Sequence, residues 1–245
     1  MFLALDTSTL TLSLCLANRR PDGSLEVMEH LVIGPPRKQS ELLPGVVGEL
    51  LARHGVALSQ LEGLAVGLGP GSFTGLRIGL ASFKALAYAA GLPVAGVSSL
   101  AAVALEGPAA RALLTLAVSK RDELYVGTYL REGERVTRLS EEDALPPEEV
   151  ARWLAREPSL VALGPALVDF RAVLEKAGVA PERLLPGVTF PSAVSVARLA
   201  HFDAAQAKEA LFALEPHYVK GSGAERNPKF PPLPGPPPGA RLKED

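Results

Sequence analysis

Two short stretches carry the residue types that chemistry on a phosphate group would need. Asp6-Thr7-Ser8-Thr9 places a carboxylate and three hydroxyls at one turn. Such a turn could hold a hydrated metal and phosphate oxygens, with backbone N–H groups cradling the anion. The same residues could instead form an Asx/Ser turn that closes a hairpin. The second stretch, 69–79, reads Gly-Pro-Gly-Ser-Phe-Thr-Gly-Leu-Arg-Ile-Gly. It has the glycines of a phosphate loop but lacks the Lys-Ser/Thr of a Walker A loop, and its spacing is not a dinucleotide fingerprint. Gly71 is expected to supply a positive φ before a helix capped by Ser72. Gly75, Gly79 and Ser82 fall at i, i+4 and i+7, a side-chain-poor stripe along which another helix could approach, from this chain or a second one. Arg77, beside that stripe, could pair with a partner's carboxylate or point into solvent.

Other chemistries lack their residues. The four histidines, His30, His54, His201 and His217, include no i, i+4 pair, so no helical His-x-x-x-His metal site exists. The single cysteine, Cys15, cannot make an internal disulfide and falls in an apolar strand, which suits a buried, inert thiol. There is no Gly-x-Ser-x-Gly elbow. Glu141-Glu142-Asp143 and Glu148-Glu149 lie around a helix start and are expected to serve its dipole and solubility. A net charge of −2 argues against broad nucleic-acid binding by this chain alone. The residues 119–123 read Ser-Lys-Arg-Asp-Glu, with no Asp-x-Gly turn. Leu163-Gly164-Pro165-Ala166 is a poor adenosine clamp. An active ATPase using Asp6 for magnesium is therefore the alternative reading, not the main one.

The elements that must position these residues follow from periodicity. The spacing predicts strands at 3–6, 11–17 and 25–33, a helix over 39–54, and a strand at 64–68. It then predicts a helix over 73–90, stopped by Gly91-Leu92-Pro93, and a strand at 94–97. The second half predicts strands at 111–118, 124–130 and 136–139, a helix at 147–156, a strand at 160–163 and a helix at 170–177. Residues 192–213 read as helical, in one piece or two. Three strands followed by helix, strand and helix, twice over, imply a duplicated α/β lobe with a mixed sheet. With 47 % hydrophobic residues the chain can fill such a core. No apolar run approaches the roughly 20 residues of a membrane helix. The opening residues lack a basic leader, so they are expected to be a strand and not a signal peptide. Seven prolines between Pro228 and Pro238 predict a disordered tail.

Leu3–Thr9, Gly67–Gly79, Gly96–Leu100 and Glu215–Lys220 together resemble the TsaB family of tRNA threonylcarbamoyladenosine synthesis. The resemblance spans about residues 1–225 and is looser beyond Leu100. It implies an actin/Hsp70-like (ASKHA) α/β fold of two RNase H-like lobes, 1–103 and 104–225, with 226–245 as the tail. It implies a cytoplasmic, non-catalytic subunit with no cofactor and no membrane contact. Such a subunit pairs with the catalytic paralogue TsaD, is docked by TsaE, meets tRNA through the complex, and could self-pair when TsaD is absent. It places the partner-binding face on Gln39, Ser40, Leu43, Val47, Ser72, Thr74, Gly75, Arg77, Ile78, Gly79 and Ser82. Asp6, Thr7 and Ser8 become a vestigial phosphate loop. Two departures stand out. Lys38 occupies a position where many relatives carry histidine, and Ser119-Lys120-Arg121 replaces the family's Asp-Ala-Arg element.

Overall fold

The computed structural model describes residues 1–35, 39–120, 122–202 and 208–219. Lys38, Lys220 and the proline-rich tail lie outside them, as do the side chains of Gln39 and Ser40. The chain opens with a meander, β1 (Phe2–Asp6), β2 (Leu12–Arg19) and β3 (Leu25–Ile33), in which neighbours run antiparallel. Helix α1 (Gln39–Arg53) leads to β4 (Gly63–Gly67), and α2 (Phe73–Ala90) crosses to β5 (Val94–Val97). β4 lies parallel to β1, and β5 parallel to β4, giving the sheet order β3-β2-β1-β4-β5.

The second half repeats this path. Strands β6 (Arg111–Lys120), β7 (Glu123–Glu132) and β8 (Arg135–Arg138) form the meander. Strand β9 (Asp143–Leu145) pairs with the other end of β7. Helix α4 (Pro147–Arg156), β10 (Val161–Leu163), α5 (Leu167–Lys176) and β11 (Leu184–Leu185) complete the lobe. Its order is β11-β10-β6-β7-β8, the first sheet's order read in reverse. Two mixed sheets of one topology, each flanked by helices, make this an actin/Hsp70-like α/β fold.

The packing explains the sequence pattern. β1 is buried along its whole length, so it reads as continuously apolar up to Asp6. Leu3 and Leu5 face a core built with Leu43, Leu50, Phe83 and Ala87 of α1 and α2. Phe2 and Ala4 face the opposite side. That side is covered by α6 (Ala193–Leu199), whose Ala193, Val196 and Ala197 are small enough for close approach. Ser72 caps α2 by accepting the Gly75 N–H at 3.2 Å, and Gly91 ends it with φ 69°. Among the described residues no helix is long and apolar enough to cross a membrane.

One helix was not foreseen. Residues Ser99–Glu106 form α3, where periodicity gives no signal because seven of the eight are Ser, Leu, Ala or Val. An amphipathic stripe requires a wet side, and α3 has almost none. Its Ala102 joins the first sheet's core, while Leu100, Val103 and Ala104 pack on Leu113, Ala117 and Tyr129 of the second sheet. The helical region 192–213 is two pieces, α6 and α7 (Lys208–Ala213). Helix α5 starts at Leu167, earlier than its period suggests.

Because α3 belongs to both cores, the lobes should unfold together. Fluorescence of Trp153, the chain's one tryptophan and a second-lobe reporter, should share its urea midpoint with amide exchange of β1. Leu100→Ala, at a site with no exposure, should cost about 2–5 kcal/mol and move both probes equally. Separate movement would mean that the lobes are independent.

Candidate functional site

At the end of β1 the chemistry-bearing residues form a closed knot. The Asp6 side chain belongs to a residue with 1 % exposure. Its Oδ1 accepts the Ser8 N–H at 2.8 Å and the Ser8 hydroxyl at 2.7 Å, and its Oδ2 accepts the Ser99 hydroxyl at 2.6 Å. Ser99 also ties down the glycine loop. Its Oγ accepts the Gly69 N–H at 3.1 Å, and its own N–H donates to the Gly69 carbonyl at 2.8 Å. The Ser8 carbonyl accepts the Ser72 N–H at 2.7 Å, and the Thr7 hydroxyl donates to the Gly75 carbonyl at 2.8 Å. Burial raises the Asp6 pKa, opposed by the hydrogen bonds from Ser8 and Ser99. The Asx-turn reading thus fits the geometry. Donors of this chain meet both oxygens of the buried carboxylate.

The glycine loop differs from expectation in two ways. The positive φ falls at Gly69 (96°), not at Gly71. Gly71 is required by approach, since a Cβ there would lie 2.2 Å from the Ser8 carbonyl oxygen. The small-residue stripe also has another occupant. A Cβ on Gly79 would lie 2.3 Å from the Thr7 hydroxyl oxygen, so at Gly79 the stripe is occupied by the turn that follows β1. Gly75 and Gly79 are buried there, and Ser82 is half-buried. Leu43 and Val47 lie inside the first core, against which Ile78 packs. Of the residues expected at a partner face whose side chains are described, Thr74 and Arg77 are the exposed ones, and Ser72 serves the helix cap.

The exposed face of α2 holds a different constellation. The Arg77 guanidinium lies 3.9 Å from the Phe73 ring centre, and its Nε donates to the Tyr218 hydroxyl at 3.0 Å. Phe73 and Tyr218 rings are 5.4 Å apart, and Tyr88 and Phe212 rings 5.9 Å apart. Lys84 Nζ donates to the Phe212 carbonyl at 3.1 Å. Arg77 is thus neither paired with a carboxylate nor free. Phe73, Tyr88, Phe212 and Tyr218 all remain 37 % or more exposed, unusual for aromatic side chains grouped together.

Sequence reasoning also missed a buried carboxylate. Glu142 was expected on the surface near a helix start, yet it is 7 % exposed. The hydroxyls of Ser98 and Tyr129 both donate to its Oε1. His217 Nδ1 stands 3.0 Å from Oε2, at ion-pair distance but without hydrogen-bond alignment. Burial raises the Glu142 pKa, but His217, Ser98 and Tyr129 together outweigh it and bring the value below the usual range. Glu142 raises the His217 pKa in turn, and burial, then the Glu142 charge, drives the Tyr129 phenol far up. The available signal was the Pro-His-Tyr segment at 216–218, which no helix or strand pattern explains.

Two further groups have no access to a substrate. Ser13 Oγ lies 2.8 Å from His30 Nε2, the separation of a nucleophile and its base, but Ser13 is fully buried and accepts the Ala193 N–H. Cys15 is buried, and burial pushes its thiol pKa up to about 12.

Comparison with known proteins follows this geometry. The family described as TsaD, tRNA N6-adenosine threonylcarbamoyltransferase, matches residues 35–182, more than half of the chain. The tRNA threonylcarbamoyladenosine biosynthesis protein TsaB of Escherichia coli is 34 % identical over 152 residues, 60 % of this chain and 63 % of that one. TsaB of Haemophilus influenzae is 34 % identical over 133 residues, 53 % of this chain and 54 % of that one. The chain belongs to this family, in its TsaB branch. It thus matches less than two thirds of the length of these curated relatives. A solved Pseudomonas aeruginosa structure, described as YeaZ, superposes with a TM-score of 0.69 at 28 % identity, covering 89 % of this chain and 98 % of that one. The TsaD-family match takes in α1, α2, α3 and Glu142, whereas the Asp6 turn and the segment carrying His217 lie outside it.

The contact between Gly79 and Thr7 gives a direct test. Gly79→Ala should cost about 1–3 kcal/mol by overpacking. Thr7→Ala should cost about 1 kcal/mol by losing its bond to Gly75. The double variant should cost clearly less than the sum, because the new Cβ then meets nothing nearer than 3.3 Å. Additive losses in urea denaturation would place Gly79 elsewhere.

Proposed function

We propose that this chain is the non-catalytic subunit that docks TsaD through the exposed side of α2. It would support TsaD in transferring threonylcarbamoyl to the adenosine beside the anticodon of tRNA. The observation that carries this reading is the exposed cluster in which Tyr218 and Phe212 meet Phe73, Arg77 and Tyr88 of α2, in a TsaB-family chain. Aromatic and arginine side chains clustered this way are typical interface anchors. The enclosed Asp6 carboxylate supports an accessory role over a magnesium-dependent one. On this reading the pair works in the cytoplasm, TsaE docks on it, tRNA is met through the complex, and self-pairing on α2 competes with TsaD.

A drop-out reconstitution tests it. TsaC, TsaD, TsaE and this chain are combined with ATP, threonine, bicarbonate and unmodified tRNA, omitting one protein at a time. Product should require both this chain and TsaD; product formed equally well without this chain overturns the reading. Asp6→Asn keeps the Oδ1 acceptor for both Ser8 donors and loses only the acceptor of the Ser99 hydroxyl, which must turn to accept the new amide N–H, so it should fold better than Asp6→Ala and retain activity within about twofold. Asp6→Ala should destabilise the chain, because each orphaned buried donor costs about 1–3 kcal/mol. If Asn is as damaging as Ala to activity in a folded protein, the carboxylate has a charge-dependent role and the accessory reading of this turn fails.

A further inference from the structure

The exposed face of α2 is completed from far along the chain. Residues 211–218 run over the first lobe, with Leu211 buried in its core and Leu214 against Gly96. Phe212 covers Tyr88, and Tyr218 covers Phe73 and Arg77. Between these contacts His217 is fastened twice. Its backbone N–H donates to the Leu68 carbonyl of the first lobe at 2.7 Å, and its imidazole meets Glu142 of the second lobe at 3.0 Å. The adjacent His217 and Tyr218 meet different elements, one the second lobe and the other α2. Glu142 is itself held rigidly, by Ser98 at the start of α3 and by Tyr129 of β7.

We propose that the docking face is a composite of α2 and residues 211–218, and that the His217–Glu142 contact between the lobes is the clasp holding its C-terminal half in place. The proposal rests on the TsaD-docking reading for the identity of the partner, but the clasp itself does not. A composite face makes partner affinity depend on the second lobe, although no second-lobe residue need touch the partner. A partner helix offering apolar side chains and carboxylates would suit the exposed rings with Arg77 and Lys84.

The clasp has a defined pH window. His217 faces Glu142 and Glu141, with Arg138 as the opposing charge; the first lobe contributes the Leu68 carbonyl. Arg138 is itself paired with Glu141 at 3.0 Å. The folded His217 pKa lies above its ordinary 6.5, so its contribution is fully present below 6.5 and is lost as pH rises through the raised value. The folded Glu142 pKa lies below its ordinary 4.5, so its contribution is present above 4.5 and is lost as pH falls through the lowered value. The clasp is therefore closed between 4.5 and 6.5 and opens on the alkaline side.

The test measures TsaD affinity of the full chain at pH 6 and pH 8.5, for wild type and His217→Gln. That side chain is 38 % exposed, so its replacement leaves the buried cluster packed. TsaD has titrations of its own, so the quantity read is the ratio between the two chains. Wild type should bind about threefold more tightly than His217→Gln at pH 6, the scale of a partly solvated ion pair, and the advantage should shrink at pH 8.5. Equal affinity of the two chains at both pH values overturns the clasp. If wild type fails to bind TsaD at either pH, the docking reading falls and the clasp is judged by NMR titration alone. There, a His217 midpoint above 6.5 that drops in a folded Glu142→Gln variant, with Tyr218 and Phe212 ring signals moving at the wild-type midpoint, supports it. An unshifted midpoint or unmoved ring signals overturn it.

Discussion

A carboxylate with 1 % exposure must be satisfied by the protein, and Asp6 draws its donors from two separate places in the chain. Ser8 lies two residues on, but Ser99 lies 93 residues away at the start of α3. The Asp6–Ser99 bond is thus where the first strand, the glycine loop and the helix between the lobes are brought into register. Ser99 passes the constraint to Gly69 through two bonds, and Ser8 passes it to the cap of α2. The directions of α2 and α3 both depend on this buried acid. The residues that look suited to hold phosphate therefore hold the chain itself.

From that knot the structure divides α2 into two sides with different tasks. Gly75 and Gly79 receive Thr7, and other inward positions fill the core shared with α1. What is left outside is the aromatic and guanidinium side, which the segment 211–218 extends. Helix α3 does the equivalent for the lobes, giving one side to each sheet. Ser98, the residue before it, reaches Glu142, while Ser99 reaches Asp6. Two adjacent serines thus serve two buried carboxylates, one in each half of the molecule.

The alternating pattern of the sequence carried much of the architecture. The limits of α2 agree with its cap signals because Ser72 and Gly91 act locally, through bonds three or four residues away. β1 and α4 were legible for similar reasons, since their burial follows a continuous apolar run or a helical period. Helix α3 was not, because a helix wrapped on nearly all sides by protein has no polar stripe to reveal its turn. The stripe of Gly75, Gly79 and Ser82 was visible as small residues, but small residues report only that something approaches closely. That the visitor is Thr7, 72 positions earlier, is a fact of packing.

The sequence by itself determined the element order, the duplicated α/β plan, the cap of α2, the inert thiol of Cys15 and the family resemblance. Each depends on interactions within a few residues, on composition, or on a contiguous motif. The tertiary structure alone decided that Asp6 is enclosed, that Glu142 is buried with Ser98, Tyr129 and His217, and that Tyr218 lies on Arg77. Those contacts join residues from 13 to 141 positions apart. No local period records such distances, because the chain reaches them through the turns of two sheets. A carboxylate in a run of acids reads as solvated until its donors arrive from elsewhere in the fold.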